Sequence, residues 1–266
     1  MPITCREPLT PLTRETFGQL SYELMREVFA IRKELGRFFD EKHYQRALAL
    51  RRPDIKLEVP LHVSHLTFEK TYYLDALFAS GAIIEFKATD LLTNRHRSQL
   101  MHYLMLADLE RGLLVNLRPE LVTKEFVNNP FRQADRHDFH IVTDAWDERL
   151  PGARQFAEVF AQLLADWGSC LDLALYEEAL THLLGGEAEV IQPVRVHFDG
   201  AALGHQAMRL ATRRVAFKLT AFDKADHPNK FVPHAQRLID HTDIDALLWA
   251  NVGRHEITFR SMRGKD

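Results

Sequence analysis

Two cysteines in 266 residues leave no basis for a disulfide framework. Cys5 and Cys170 stand far apart with no metal-type spacing, so the cysteine-based zinc motifs are excluded too, and a reducing, cytoplasmic setting fits. No apolar run approaches the length of a membrane span. The opening residues MPITCREPLT lack a basic-then-apolar leader pattern. A strong excess of one charge is also missing. The formal net charge is -3, so attraction to a polyanion through global charge is not implied and would need a local basic patch. Fourteen histidines are scattered without ligand spacing; His62 with His65, and His96 with His102, read as solvated or core side chains. What is present is 46% hydrophobic and 27% charged residues. That is the balance of a packed globular chain, with length for one large domain or two modest ones.

Residues 1–13, with prolines at 2, 8 and 11, read as a tail. Phe17, Leu20, Leu24, Val28, Ile31 and Leu35 recur at three- and four-residue intervals and predict a helix over 13–35. Gly36 interrupts it, and a second helix is expected over 40–50. Ile55 to Val63 reads as a strand, with Pro60 restricting it to an edge or a bulge. A hairpin over 72–88 follows, then a helix over 94–108 and strands over 112–117 and 121–127. The polar run Asn128–Asp138 reads as a linker or exposed loop.

The hairpin YYLDALFASGAIIEFK carries the chemistry. Its two apolar arms meet at Ser80-Gly81, yet it holds Asp75, Glu85 and Lys87. Buried charge costs several kcal/mol unless it is paired or bound to a metal. Glu85 and Lys87 are two apart and so share one face of a strand, and the turn folds Asp75 back beside them. Two carboxylates and an ammonium converging on one point can hold a hard divalent cation and position a water.

After the linker the pattern begins again. Gly168, Tyr176, Ala179 and Leu180 repeat Gly36, Tyr44, Ala47 and Leu48 at a constant offset, and Pro193 and Asn251 follow as Pro60 and Asn116 do. This is the signature of an internal duplication. The repeat of the hairpin, His205 to Ala221, has no acid opposite Asp75 or Glu85; Lys218 reads as an echo of Lys87, while Gln99 falls near His234 and Tyr103 near Leu238. The second copy is therefore expected to be degenerate, kept for packing, pairing or substrate binding.

Gly36, Glu41-Lys42-His43-Tyr44, Asp75, Glu85-Phe86-Lys87, Gln99-Leu100-Met101-His102-Tyr103 and Gly112 to Asn116 together resemble the GxxExxY group of the PD-(D/E)XK nuclease-like superfamily, over roughly residues 22–128. The resemblance implies an α/β fold of two tandem PD-(D/E)XK-like units, each a mixed central sheet flanked by helices, packed as a pseudo-dimer. The domains would be residues 14–135, with the intact site, and residues 136–266, the degenerate copy. It implies Asp75 and Glu85 as metal-binding carboxylates and Lys87 as the residue that orients or activates water. Glu41 would be an auxiliary metal-side acid, and Gln99 and Tyr103, four apart on one helical face, a pair that orders the acids or touches a phosphate. The implied cofactor is Mg²⁺ or Mn²⁺ and the implied partner nucleic acid, DNA ahead of RNA. Arg95, Arg97 and Lys70 are candidates for a phosphate-facing patch.

Two functions follow from these residues. One is metal-dependent hydrolysis of phosphodiesters in DNA or RNA. The other is a non-catalytic protein of nuclease fold that binds nucleic acid or a partner protein, including a second copy of itself. The slight acidity and the lost second site favour the latter. The full set Asp75, Glu85, Lys87, Gln99 and Tyr103 favours the former, because unliganded acids in a core hairpin destabilise it.

Overall fold

The computed structural model describes residues 2–222 and 227–264; residues 223–226 and 265–266 of the expected second domain lie outside them. The chain divides into two compact units, residues 1–64 with 69–135, and residues 65–68 with 136–266. The architecture is mixed α/β, with two six-stranded sheets flanked by helices. Among the described residues no helix is long and apolar enough to cross a membrane.

The first unit runs β1 (Ile3–Cys5), α1 (Arg14–Leu35), α2 (Glu41–Arg51), β2 (Ile55–His65), β3 (Phe68–Phe78), β4 (Ala82–Lys87), α3 (Asn94–Leu106), β5 (Arg111–Asn116) and β6 (Thr123–Asn128). Strand order follows chain order, and β4 and β5 pair in parallel through the α3 crossover while β5 and β6 are antiparallel. Alternation sorts the strands onto two faces. Ala76, Phe78, Ile84, Phe86, Leu113 and Val115 point one way and pack with Leu24, Val28 and Ile31 of α1 and Tyr44 and Leu48 of α2. The other face receives α3. A side chain at Gly112 would meet that of Leu100 at 2.9 Å, so glycine here lets α3 come close to β5.

Three sequence expectations change. The supposed tail contains β1, whose residues Ile3 to Cys5 pair antiparallel with Val63 to Leu61 and cover the exposed edge of β2. Pro60 falls just past the stretch that β1 covers. The same N-terminal segment explains Gly81: Thr10 donates its N–H to Ser80 O at 2.8 Å, and a Cβ on Gly81 would lie 2.1 Å from Thr10 O. The positive φ angles of the hairpin turn fall on Ala79 and Ser80, so Gly81 is required for space. The polar run after β6 is not an open linker either. Asn129 is buried and donates to Leu109 O at 3.1 Å, and α4 (Gln133–Arg136) ends on the buried Arg136.

The second unit continues with β7 (His140–Ala145), α5 (Ala153–Trp167), α6 (Leu173–Leu183), α7 (Glu187–Val190), β8 (Ile191–Phe198), β9 (Ala201–Thr212), β10 (Val215–Thr220), α8 (His227–Asp240), β11 (Ala246–Val252) and β12 (Glu256–Arg263). From α5 onward it repeats the element order of the first unit, with α7 as an addition. Two helices lead into a three-strand meander, a helix crosses over to a strand parallel to the third, and an antiparallel strand ends the run. The extra strand differs: β1 pairs with the first meander strand, whereas β7 pairs in parallel with the last strand, β12.

Local chemistry repeats as well. α1 and α5 both end on a glycine in the same conformation, Gly36 at φ 79 and Gly168 at φ 77. In each unit a tyrosine eight residues on donates its hydroxyl to that glycine's carbonyl, Tyr44 at 2.6 Å and Tyr176 at 2.5 Å. Asn116 accepts from the N–H of Thr89 and donates to its carbonyl; Asn251 makes the same pair with Phe222. These asparagines set the register. Asn116 lies beside Lys87 and Asn251 beside Thr220, so Thr220 takes the place of Lys87 and Lys218 that of Glu85. The expected match of Lys218 to Lys87 is therefore two residues out.

Candidate active site

The β3–β4 ladder opens where the charges begin. Pairing ends at Ala76 with Ile84. One step further, the Asp75 carboxylate enters in place of backbone and its Oδ2 accepts the Phe86 N–H at 2.8 Å. β4 continues along β5 alone as far as Lys87. Ile83, Glu85 and Lys87 share the face turned to α3, opposite the Ala82, Ile84 and Phe86 face that packs on α1 and α2.

Glu85 is 1% exposed. Its Oε1 accepts from Lys87 Nζ at 2.6 Å, while its Oε2 is buried without a hydrogen-bond partner. Burial, and then repulsion from Asp75, push its pKa up to about 7 against the opposing pull of Lys87. Asp75 is raised as well, by burial first, with the Phe86 N–H and Lys87 opposing and Glu41 adding repulsion. Burial alone would lower the Lys87 pKa, but Glu85, Asp75 and Glu41 together outweigh it and raise the pKa, so the ammonium is held charged.

Glu41 opens α2, and its Oε1 accepts the Ala88 N–H at 2.8 Å. This ties the start of the helix to the end of β4. Gln45, one turn further and buried, is a polar neighbour that helps hold the Asp75 pKa down. Sequence reading missed Gln45, although its place four residues after Glu41 puts the two on one helical face. From α3, Gln99 donates to the Tyr103 hydroxyl at 3.1 Å. Burial, together with the nearby Glu85 and Asp75, raises the Tyr103 pKa, with Gln99 opposing, so the phenol stays protonated. All six predicted residues thus belong to one electrostatic neighbourhood in the first unit. The predicted phosphate patch does not assemble as expected: Arg97 is paired with both oxygens of Glu125 at 2.7 and 2.9 Å, and Lys70 lies over the Tyr72 ring.

The donor set toward a cation is carboxylate oxygen, which suits hard divalent ions. The buried, partnerless Glu85 Oε2 beside a second half-buried acid is the observation that fits such an ion, since two like charges in a dry site are otherwise unfavourable. Among the described residues no three acidic, histidine or cysteine side chains draw together into a ready ligand cluster; one oxygen each of Asp75 and Glu41 is taken by a backbone N–H.

The matching positions of the second unit hold no such chemistry. By strand register, Met208 stands where Asp75 does and Lys218, exposed, where Glu85 does. Trp249 packs against Phe231 at 4.5 Å between ring centroids and donates to Thr220 Oγ1 at 2.9 Å. Thr220 in turn donates to Asn251. An aromatic plug and a neutral hydrogen-bond chain occupy the place of the acids.

Comparison with known proteins agrees in part with the likeness read from the sequence. Residues 18–128 match the family model described as the PD-(D/E)XK nuclease superfamily, so the first unit carries a domain of that superfamily; residues beyond 128 lie outside the match. A solved structure titled "Crystal structure of SSO0001" aligns at 22% identity over 46% of this chain and 63% of its own, under two thirds of that chain, with a TM-score of 0.29. No curated protein matches the chain.

Proposed function

We propose that the first unit is a metal-dependent nuclease centre that hydrolyses phosphodiester bonds of DNA or RNA. The observation that carries this reading is Glu85: a buried carboxylate with one oxygen on Lys87, the other unpartnered, and a second acid across the strand. Asp75 and Glu85, with Glu41 at the rim, would hold Mg²⁺ or Mn²⁺. Such an ion, when bound, polarises a phosphoryl oxygen and lowers the pKa of a bound water. Lys87, fixed by Glu85, places a positive charge where negative charge develops on a phosphoryl group. The Phe86 and Ala88 N–H groups fix the orientation of Asp75 and Glu41, so the acids are ordered before a substrate arrives. Gln99 and Tyr103 present amide and hydroxyl donors on the same side.

We further read the second unit as a degenerate duplicate of the first. The repeated helix end, tyrosine clamp and asparagine clamp support descent from one unit, and the Trp249 plug supports a scaffolding or binding role.

The test is incubation of the purified chain with linear, circular and single-stranded DNA and with RNA, plus Mg²⁺ or Mn²⁺. The expected result is cleavage that requires the metal and is lost in Glu85→Gln and Lys87→Ala. Metal binding without cleavage of any substrate would replace the enzyme reading with that of a nucleic-acid or protein-binding module.

A further inference from the structure

The loop between α1 and α2 carries a large exposed ring directly before the acids. Gly36 turns the chain out of α1, and the Tyr44 hydroxyl holds the Gly36 carbonyl at 2.6 Å, so the base of the loop is fixed. Phe39 sets its ring edge-on to His43 with centroids 5.7 Å apart. Phe38 is 76% exposed, with the Arg37 guanidinium 5.2 Å from its ring centroid. Phe38 and Arg37 line a cleft of about 590 Å³ with Ala88, Thr89, Asp90 and Arg118. Ala88 directly follows Lys87 and is the residue whose N–H binds Glu41, so this cleft adjoins the acids. Arg118 is held in place by donating Nε to Ala88 O at 3.2 Å. Among the described residues neither Arg37 nor Arg118 pairs with a carboxylate.

The second unit shows what this turn looks like without that demand. After Gly168 the corresponding residues are Ser169, Cys170 and Leu171. Ser169 and Leu171 are buried, and Ser169 Oγ lies 3.1 Å from the carbonyls of both Arg136 and Arg254, to either of which it can donate its one proton. The same turn is folded inward there and presents an aromatic ring outward only beside the acids. Leu91 and Leu121, 77% and 79% exposed, sit on the two other connections that leave the sheet at the end carrying Lys87 and Asn116.

We propose that Phe38 is a stacking platform for an unpaired base, with Arg37 and Arg118 contacting the flanking phosphates, and that the first unit therefore takes single-stranded nucleic acid. A base paired within a duplex has both faces covered and cannot use an exposed ring, whereas every unpaired base can. The two arginines supply the charge complementarity that a peptide of ordinary composition would not need. Binding at this cleft stands apart from the nuclease reading; only the fate of the bound strand rests on it.

The experiment is fluorescence anisotropy of the full chain in EDTA with three probes: a single-stranded oligonucleotide, an abasic strand of the same length, and a blunt duplex. The base-bearing strand is expected to bind roughly tenfold tighter than the abasic one. Phe38→Ala should erase that difference and Phe38→Tyr keep it, both with unchanged melting temperature because the ring is exposed. Arg37→Ala with Arg118→Ala should weaken both strands alike. Equal binding of base-bearing and abasic strands, a preference for the duplex, or Phe38→Ala behaving as wild type overturns the platform. Because no metal is present, failure here leaves metal-dependent cleavage standing, and loss of cleavage in the metal assay leaves the platform standing.

Discussion

The Glu85→Gln substitution gives a stability test that needs no substrate. Burial and Asp75 raise the Glu85 pKa from its ordinary 4.5 to about 7 on folding. A group with a raised folded-state pKa contributes stability that is fully present below the unfolded value. That contribution is lost as pH rises through the folded one. At about 1.4 kcal/mol per pH unit of separation, the contribution falls by roughly 2 to 3 kcal/mol between pH 5 and pH 8.5. Gln is nearly isosteric and does not titrate. Lys87, with its pKa raised, stays charged throughout this window and adds no slope. The assay is urea unfolding of wild type and Glu85→Gln in EDTA at both pH values. The difference between the two proteins should shift toward the variant by roughly 2 to 3 kcal/mol as pH rises. Added Mg²⁺ or Mn²⁺ should stabilise wild type most at the higher pH and leave the variant unmoved. Parallel pH profiles, with no cation effect, would refute the claim that two unfavourably buried acids meet at this point.

The shared clamps and the plugged second site give two further expectations. Tyr176→Phe leaves the Gly168 carbonyl without its 2.5 Å donor in a fully buried setting and should cost about 1 to 3 kcal/mol in denaturant unfolding; an unchanged midpoint would show that the bond contributes nothing. Placing the charges of the first unit in the second as Met208→Asp, Lys218→Glu and Thr220→Lys should destabilise the chain by several kcal/mol without adding cation-dependent stability, read by the same unfolding curves with and without Mg²⁺; a stable triple variant that gains a cation response would show that these three side chains alone make the difference between the units.

Period-two alternation and a turn signal were enough to place Asp75, Glu85 and Lys87 together, because both are local features of the chain. The repeated helix end was legible for the same reason: Gly36 and Tyr44, and Gly168 and Tyr176, are each joined within eight residues. What was not legible depended on distant partners. β1 is three residues of no marked pattern, and only the free edge of β2 makes it a strand. Arg97 looked available for phosphate because Glu125, its partner, lies 28 residues away on β6. Lys218 was matched to Lys87 by residue identity, whereas register is set by the backbone, here through Asn251 and Thr220. The backbone donors of Phe86 and Ala88 carry no side-chain signal at all.

The two units separate what the fold needs from what the chemistry needs. The helix-ending glycine, the tyrosine that holds its carbonyl and the asparagine that closes the loop after the third meander strand occur in both, so they serve the skeleton. The acids occur in one. A sheet strand that ends early, as β3 does against β4 at Ala76, leaves backbone donors exposed, and in the first unit carboxylates take them: Asp75 on Phe86 and Glu41 on Ala88. In the second unit neutral groups fill the same region, with Trp249, Thr220 and Asn251 bonded in series. Among the described residues only the first unit leaves a buried side-chain oxygen unpartnered, on Glu85, and an unpartnered buried oxygen is retained at a cost in stability. The fold has no use for that atom, which is the reason to seek its partner in a bound cation and its substrate.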